Sequence, residues 1–228
     1  MKNEFVAWLV SLICLGTLAI GAARAAEAPE FNSESSVSMA SYMKERAGDL
    51  LYFGQHTCSL SKLAPGVFLT AHHCTQDMAQ DNLTVVYGGE EVAVRYVVSP
   101  RVPEVADKSA DLDVLITDGD LPAMKSLELG CNLTLLPGQH VVTGGFPGPM
   151  GFTYSEGVIT SVVKPEIPYV YGADFWTDLH ASGGASGSPV VDRSTGKQIG
   201  VLVEMWLQGQ YVGAQSVGLR GLCPANSQ

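Results

Sequence analysis

The sequence predicts an all-β body, a sandwich or a barrel, and two features carry that expectation. From Leu50 onward the chain is broken into short runs rich in valine, isoleucine and tyrosine, among them "LTVVYG", "EVAVRYVVS", "DVLIT", "HVVTGGF", "EGVITSVV", "QIGVLVEMW" and "YVGAQSV". Each is bounded by Gly, Pro, Asp or Asn, which supply the dihedrals and local hydrogen bonds of turns. The second feature is negative: no long stretch keeps a helical spacing of apolar residues. Between "DVLIT" and "HVVTGG" lies "DGDLPAMKSLELGCNLTLLPG", poor in strand signals, which reads as a link between two halves. No internal repeat is visible.

The amino-terminal segment is of another kind. Lys2 precedes the apolar run "FVAWLVSLICLGTLAIGAA", which exits through "ARA" into "AEAPE". A basic start, an apolar centre and a small-x-small exit describe a secretory signal peptide, residues 1–25, cut after Ala25. A membrane anchor would need a longer apolar run, and no later segment is apolar for long enough to span a bilayer. Residues 26–46 are polar and serine-bearing. They read as an N-terminal arm, a short pro-segment, or one surface helix ending near Gly48. Removing 1–25 takes away Lys2, Arg24 and Glu4 and moves the formal net charge from −10 to −11. Nucleic acid and anionic lipid both need a basic surface, so neither is an expected partner. The expected location is secreted or periplasmic, with no membrane association once the signal is gone.

Cys14 leaves with the signal, and Cys58, Cys74, Cys131 and Cys223 remain. Four cysteines in an exported chain predict two disulfides, with three pairings open. About 200 residues can bury a true core, so the bridges reinforce a fold and do not replace one.

Chemistry enters at residues 183–190, "GGASGSPV". A nucleophilic serine needs a sharp backbone turn and close approach of a substrate carbonyl, and Gly184 and Gly187 on either side of Ser186 allow both. The N–H groups of Gly184 and Ser186 can then converge on the oxyanion of a tetrahedral intermediate. Pro189 fixes the exit into the next strand. A serine hydroxyl is a weak nucleophile until a histidine takes its proton and a carboxylate orients that histidine. "LTAHHC", residues 69–74, supplies His72 and His73. "DLDVLI", residues 111–116, supplies Asp111 and Asp113, which alternate onto one side of an extended strand. Asp118 and Asp120 read as solvated turn acids. The order His, Asp, Ser differs from the Ser, Asp, His of an α/β-hydrolase, and G-x-S-x-G fails because position 188 is serine. A metal site built on His56, His72, His73 and a thiolate is disfavoured, because adjacent histidines rarely reach one ion together.

The three motifs together resemble those of the secreted trypsin/chymotrypsin-like serine proteases. "FLTAHHC" is similar to that family's T-A-A-H-C, "DLDVL" to its D-I-A-L-L and "GASGSP" to its G-D-S-G-G-P. The likeness runs from about Leu50 to Cys223. A serine motif ending Gly-Ser-Pro is closest to the bacterial glutamyl endopeptidase-like branch. The resemblance implies two antiparallel six-stranded Greek-key β-barrels, chymotrypsin-like, with the site between them. Residues 47–120 would form the first barrel, 121–134 the linker and 135–228 the second.

By the same resemblance the catalytic histidine immediately precedes the cysteine, which makes it His73, with His72 a packed or solvent-bordering neighbour. The carboxylate comes first in its motif, which makes it Asp111, with Asp113 in a slot usually held by a small residue. Ser186 completes the set. The histidine-loop bridge implies Cys58–Cys74, and with it Cys131–Cys223. "GVLVEM" at 200–205 resembles the strand that carries the substrate backbone, which places Val203 and Met205 in the specificity pocket with His180, six residues before Ser186. Trypsin holds Lys or Arg with an aspartate where this chain has His180, so trypsin-like specificity is not expected. Ala185 stands where pancreatic-type enzymes carry the acid that pairs with a freed amino terminus, so activation through that ion pair is not expected either. The implied activity is a cofactor-free, metal-free serine endopeptidase acting on protein or peptide substrates as a monomer. The alternative is a catalytically silent protease-like binding or decoy module.

Overall fold

A computed structural model describes residues 36–100, 111–162, 174–208, 211–219 and 222–223. The expected signal peptide 1–25 and residues 26–35 lie outside the described residues. Ser36–Lys44 forms helix α1. Met39 and Met43, four residues apart and therefore on one face, are both fully buried. They pack with Leu127, Val142 and Val191 against the outside of the second barrel. Arg46 closes the carboxyl end of the helix: its Nη1 donates to Tyr42 O at 2.9 Å and its guanidinium lies 3.6 Å from the centre of the Tyr42 ring. Among the described residues no helix is long and apolar enough to cross a membrane.

Among the described residues twelve strands follow: β1 (Ala47–Tyr52), β2 (Gln55–Ala64), β3 (Val67–Thr70), β4 (Leu83–Tyr87), β5 (Glu90–Val98), β6 (Asp113–Thr117), β7 (His140–Gly145), β8 (Thr153–Val162), β9 (Phe175–Thr177), β10 (Pro189–Asp192), β11 (Gln198–Gln208) and β12 (Tyr211–Gly218). They close into two antiparallel barrels of six, in the spatial orders β1-β2-β3-β6-β5-β4 and β7-β8-β9-β12-β11-β10. The second order is the first with every strand advanced by six. The architecture therefore repeats although the sequence does not, because a barrel fixes which positions face inward and leaves their identity free within a volume limit. The all-β, two-barrel, chymotrypsin-like fold expected from the sequence is the one observed.

The first core holds Leu50, Leu60, Phe68, Leu83, Val85 and Leu115, and the second holds Val141, Ile159, Phe175, Val190, Ile199 and Leu202. Burial of each such side chain contributes about 1.5–3 kcal/mol. Alternation is clear in the second barrel, where Val141 and Val190 face inward and their neighbours Val142 and Val191 face α1. Val201 and Val203 of β11 join the first core, so the two barrels share an apolar seam. Both disulfides expected from the family resemblance are present, Cys58–Cys74 and Cys131–Cys223. Asp120 is more than a solvated turn acid: it pairs at 2.6 Å with Lys62, whose side chain is nearly fully buried. Burial pushes the Asp120 carboxyl up, but the Lys62 hydrogen bond and the Gly66 N–H outweigh it and hold it below the usual range.

Candidate active site

The histidine turn begins where β3 ends. Fully buried Thr70 and Ala71 lead into a single 3-10 turn over His72–Cys74, and Cys74 bonds back to Cys58 on β2. Two adjacent residues on so tight a turn point apart, and each histidine meets its own aspartate. Asp111 lies two residues before β6. Its Oδ1 accepts the His73 N–H at 2.8 Å and its Oδ2 lies 2.8 Å from His73 Nδ1. With Nδ1 donating to the carboxylate, the lone pair sits on Nε2. Burial raises the Asp111 carboxyl, but the His73 hydrogen bond, its charge and its N–H overcome that and hold Asp111 below the usual range.

The second pair was not foreseen. Asp113, at the start of β6, is fully buried, and its two oxygens lie 3.1 and 3.0 Å from His72 Nδ1. Thr75 Oγ1 donates to Asp113 as well. His72 is therefore a half-buried partner of a buried acid. The sequence places two adjacent histidines and two aspartates two positions apart, but it does not say which meets which.

Ser186 sits in the turn between β9 and β10. Gly187 N donates to Leu202 O at 2.8 Å, Leu202 N returns a bond to Ser188 O at 2.9 Å, and Ser59 N on β2 donates to Ser186 O at 2.7 Å. Gly187 has φ +87°, and a Cβ there would run into Ser59 O and Thr70 Oγ1. Gly184 has φ +88°, and a Cβ there would collide with the His56 ring and approach Gly148 N. Both positions thus need glycine for backbone shape and for room. Ala185 N is held by Ser182 O at 2.9 Å, while the N–H groups of Gly184 and Ser186 have no hydrogen-bond partner among the described residues. The Ser186 hydroxyl donates to Val203 O at 3.2 Å.

Val203 is buried on β11 beside the serine. Met205 lies on the same strand with its side chain outside the described part. His180 follows β9, its N–H donating to Ser155 Oγ at 2.9 Å, and its side chain is exposed. Among the described residues one His/Cys/Asp/Glu grouping, Cys58, His73 and Cys74, brings its ligand atoms within 4.8 Å of one another. Its two sulfurs are bonded to each other, so it offers no thiolate to a metal. His56 instead lies 2.6 Å from Asp49.

Comparison with known proteins agrees with this architecture. The Trypsin-like peptidase domain matches residues 54–201. No curated protein matches the chain. Among solved structures, the Rv3671c protease in an inactive form, from M. tuberculosis H37Rv, is similar at 20% identity and TM-score 0.59, over 78% of this chain and 86% of that one. The HtrA-type protease AlgW with a tripeptide is similar at 21% identity and TM-score 0.63, over 81% of this chain and 60% of that one. This chain thus spans less than two thirds of the AlgW chain. At such identities the likeness is one of fold. The family match covers well over half of the chain and contains the histidine turn, both aspartates and the serine turn, and the chain belongs to the trypsin-like peptidase domain family.

Proposed function

We propose that this protein is a secreted or periplasmic serine endopeptidase working through an acyl-enzyme. The observation that carries the reading is the double contact of Asp111 with His73, through the ring Nδ1 and the backbone N–H; it is supported by a serine turn whose Gly184 and Ser186 amides have no hydrogen-bond partner among the described residues. Ser186 Oγ rotates off Val203 O, gives its proton to His73 Nε2 and attacks the scissile carbonyl carbon. Asp111 fixes the tautomer and steadies the imidazolium. The N–H groups of Gly184 and Ser186 receive the oxyanion. His73 then protonates the leaving amine, and water repeats the sequence on the acyl-enzyme. Peptide substrates are further supported by the peptide-bound state of AlgW. Residues 47–120 and 135–228 act as the two barrel domains of a monomer, with 121–134 between them.

A fluorophosphonate probe tests the reading. The folded protein should be labelled on Ser186, and Ser186→Ala should abolish the band. Absence of labelling on correctly folded protein would favour the silent binding module instead.

Specificity follows from the absence of a carboxylate at position 180. His180 cannot attract Lys or Arg, and when protonated it repels them and favours Glu or Asp. Small uncharged or acidic residues are therefore expected before the cut. Chromogenic peptides differing only in that residue, compared between about pH 5 and 8, should show poor cleavage after Lys and Arg. Efficient cleavage after arginine would remove His180 from the pocket.

A further inference from the structure

The two residues whose amides are read as the oxyanion hole share one partner on the other barrel. Ser59, on β2, is fully buried. Its N–H donates to Ser186 O at 2.7 Å and its Oγ donates to Gly184 O at 3.0 Å. The same Oγ accepts the Phe146 N–H at 2.8 Å, and the Ser59 carbonyl accepts Thr70 Oγ1 at 2.8 Å. We infer that the Ser59 side chain is a positioning residue that aims the Gly184 amide. The inference rests on the reading of Ser186 as nucleophile with Gly184 as an oxyanion donor.

The reasoning is conformational. Gly184 has no side chain, and at φ +88° nothing of its own restricts its rotation. The His56 ring and Gly148 place bulk behind it, but bulk gives no direction. A hydrogen bond to its carbonyl does, because only two dihedrals separate the Gly184 C=O from its N–H. The Ser59 hydroxyl has one proton, committed to Gly184 O, and a lone pair committed to Phe146 N–H, so it is held in one rotamer. The positions of Gly145 and Gly187 leave no room around it, since a Cβ on the first would press on Ser59 Oγ and on the second would run into Ser59 O. An oxyanion donor stabilises the transition state only when already in place.

Ser59→Ala keeps the backbone bond to Ser186 and removes the one to Gly184. Ser61→Ala is the matched control, since Ser61 is a fully buried serine on the same strand whose Oγ donates to Gln198 Oε1 at 3.0 Å, away from the serine turn. The readout is pre-steady-state acylation by 4-nitrophenyl acetate, alongside the thermal midpoint. Ser59→Ala should slow maximal acylation roughly 10- to 100-fold, less than outright loss of a donor. Its half-saturating concentration should stay within about twofold, the pattern of an interaction made only in the transition state. Ser61→Ala should lose a similar amount of thermal stability with acylation within about twofold of the unmodified protein. An unchanged Ser59→Ala rate, or an equal loss in Ser61→Ala, overturns the inference. Should Ser59→Ala not fold, Ser59→Cys keeps the volume with a weaker donor; it should acylate more slowly, and an unmodified rate overturns the inference. Ser186→Ala run in parallel separates the two levels. Acylation at the unmodified rate there overturns the nucleophile assignment and this inference together. A silent Ser186→Ala beside an unimpaired Ser59→Ala overturns this inference alone.

Discussion

His73→Ala should lower kcat by roughly 10⁶-fold, the size of loss seen when the general base of a triad is removed alone. The fold should survive, because the ring is more than a third exposed and its removal opens no core cavity. His72→Ala should behave in the opposite way. It leaves the His73–Asp111 pair intact, and kcat should stay within a few-fold. It also strips a partner from the fully buried Asp113, which keeps the bond from Thr75, at a cost of about 1–3 kcal/mol in stability. Steady-state kinetics and chemical denaturation of the two variants check the pair of outcomes. A dead His72→Ala beside an active His73→Ala would shift the catalytic assignment by one residue.

The disulfides should separate stability from activity. Cys131 and Cys223 are 92 residues apart and Cys58 and Cys74 are 16 apart. Loop-closure entropy in the unfolded chain gives about 4.7 kcal/mol for the long loop and about 3 kcal/mol for the short one. Replacing Cys131 and Cys223 by serine should therefore cost more stability, yet leave kcat of the folded fraction close to that of the intact protein. Replacing Cys58 and Cys74 should cost less stability but lower kcat, because that bridge ties the His73 turn to β2. Denaturant midpoints and active-site titration would measure both. A larger stability loss from the short loop would mean that local packing of the turn, not chain entropy, sets its value.

Much of this was legible in the sequence, and the illegible parts have physical causes. β4, β5, β6, β7, β8, β11 and β12 announced themselves as apolar runs between turn residues. β2 did not, since "QHTCSLSKLA" reads as polar. Its polar residues are the ones that face the rest of the protein: Ser59 bonds the serine turn, Ser61 bonds Gln198, and Lys62 is buried on Asp120. A strand that supports a site from beneath loses the hydrophobic alternation by which strands are recognised. The His73–Asp111 contact could be expected from motif order. The His72–Asp113 contact could not, because it depends on how the 3-10 turn splays two neighbouring side chains.

Helix α1 runs directly into β1, and Ala185 offers no acid for a new amino terminus to find. Cutting the chain between them would not complete anything. It would free Met39 and Met43 from their seat on the second barrel. On the proposed reading, a cut between helix and strand would therefore cost stability without supplying an activating ion pair through position 185.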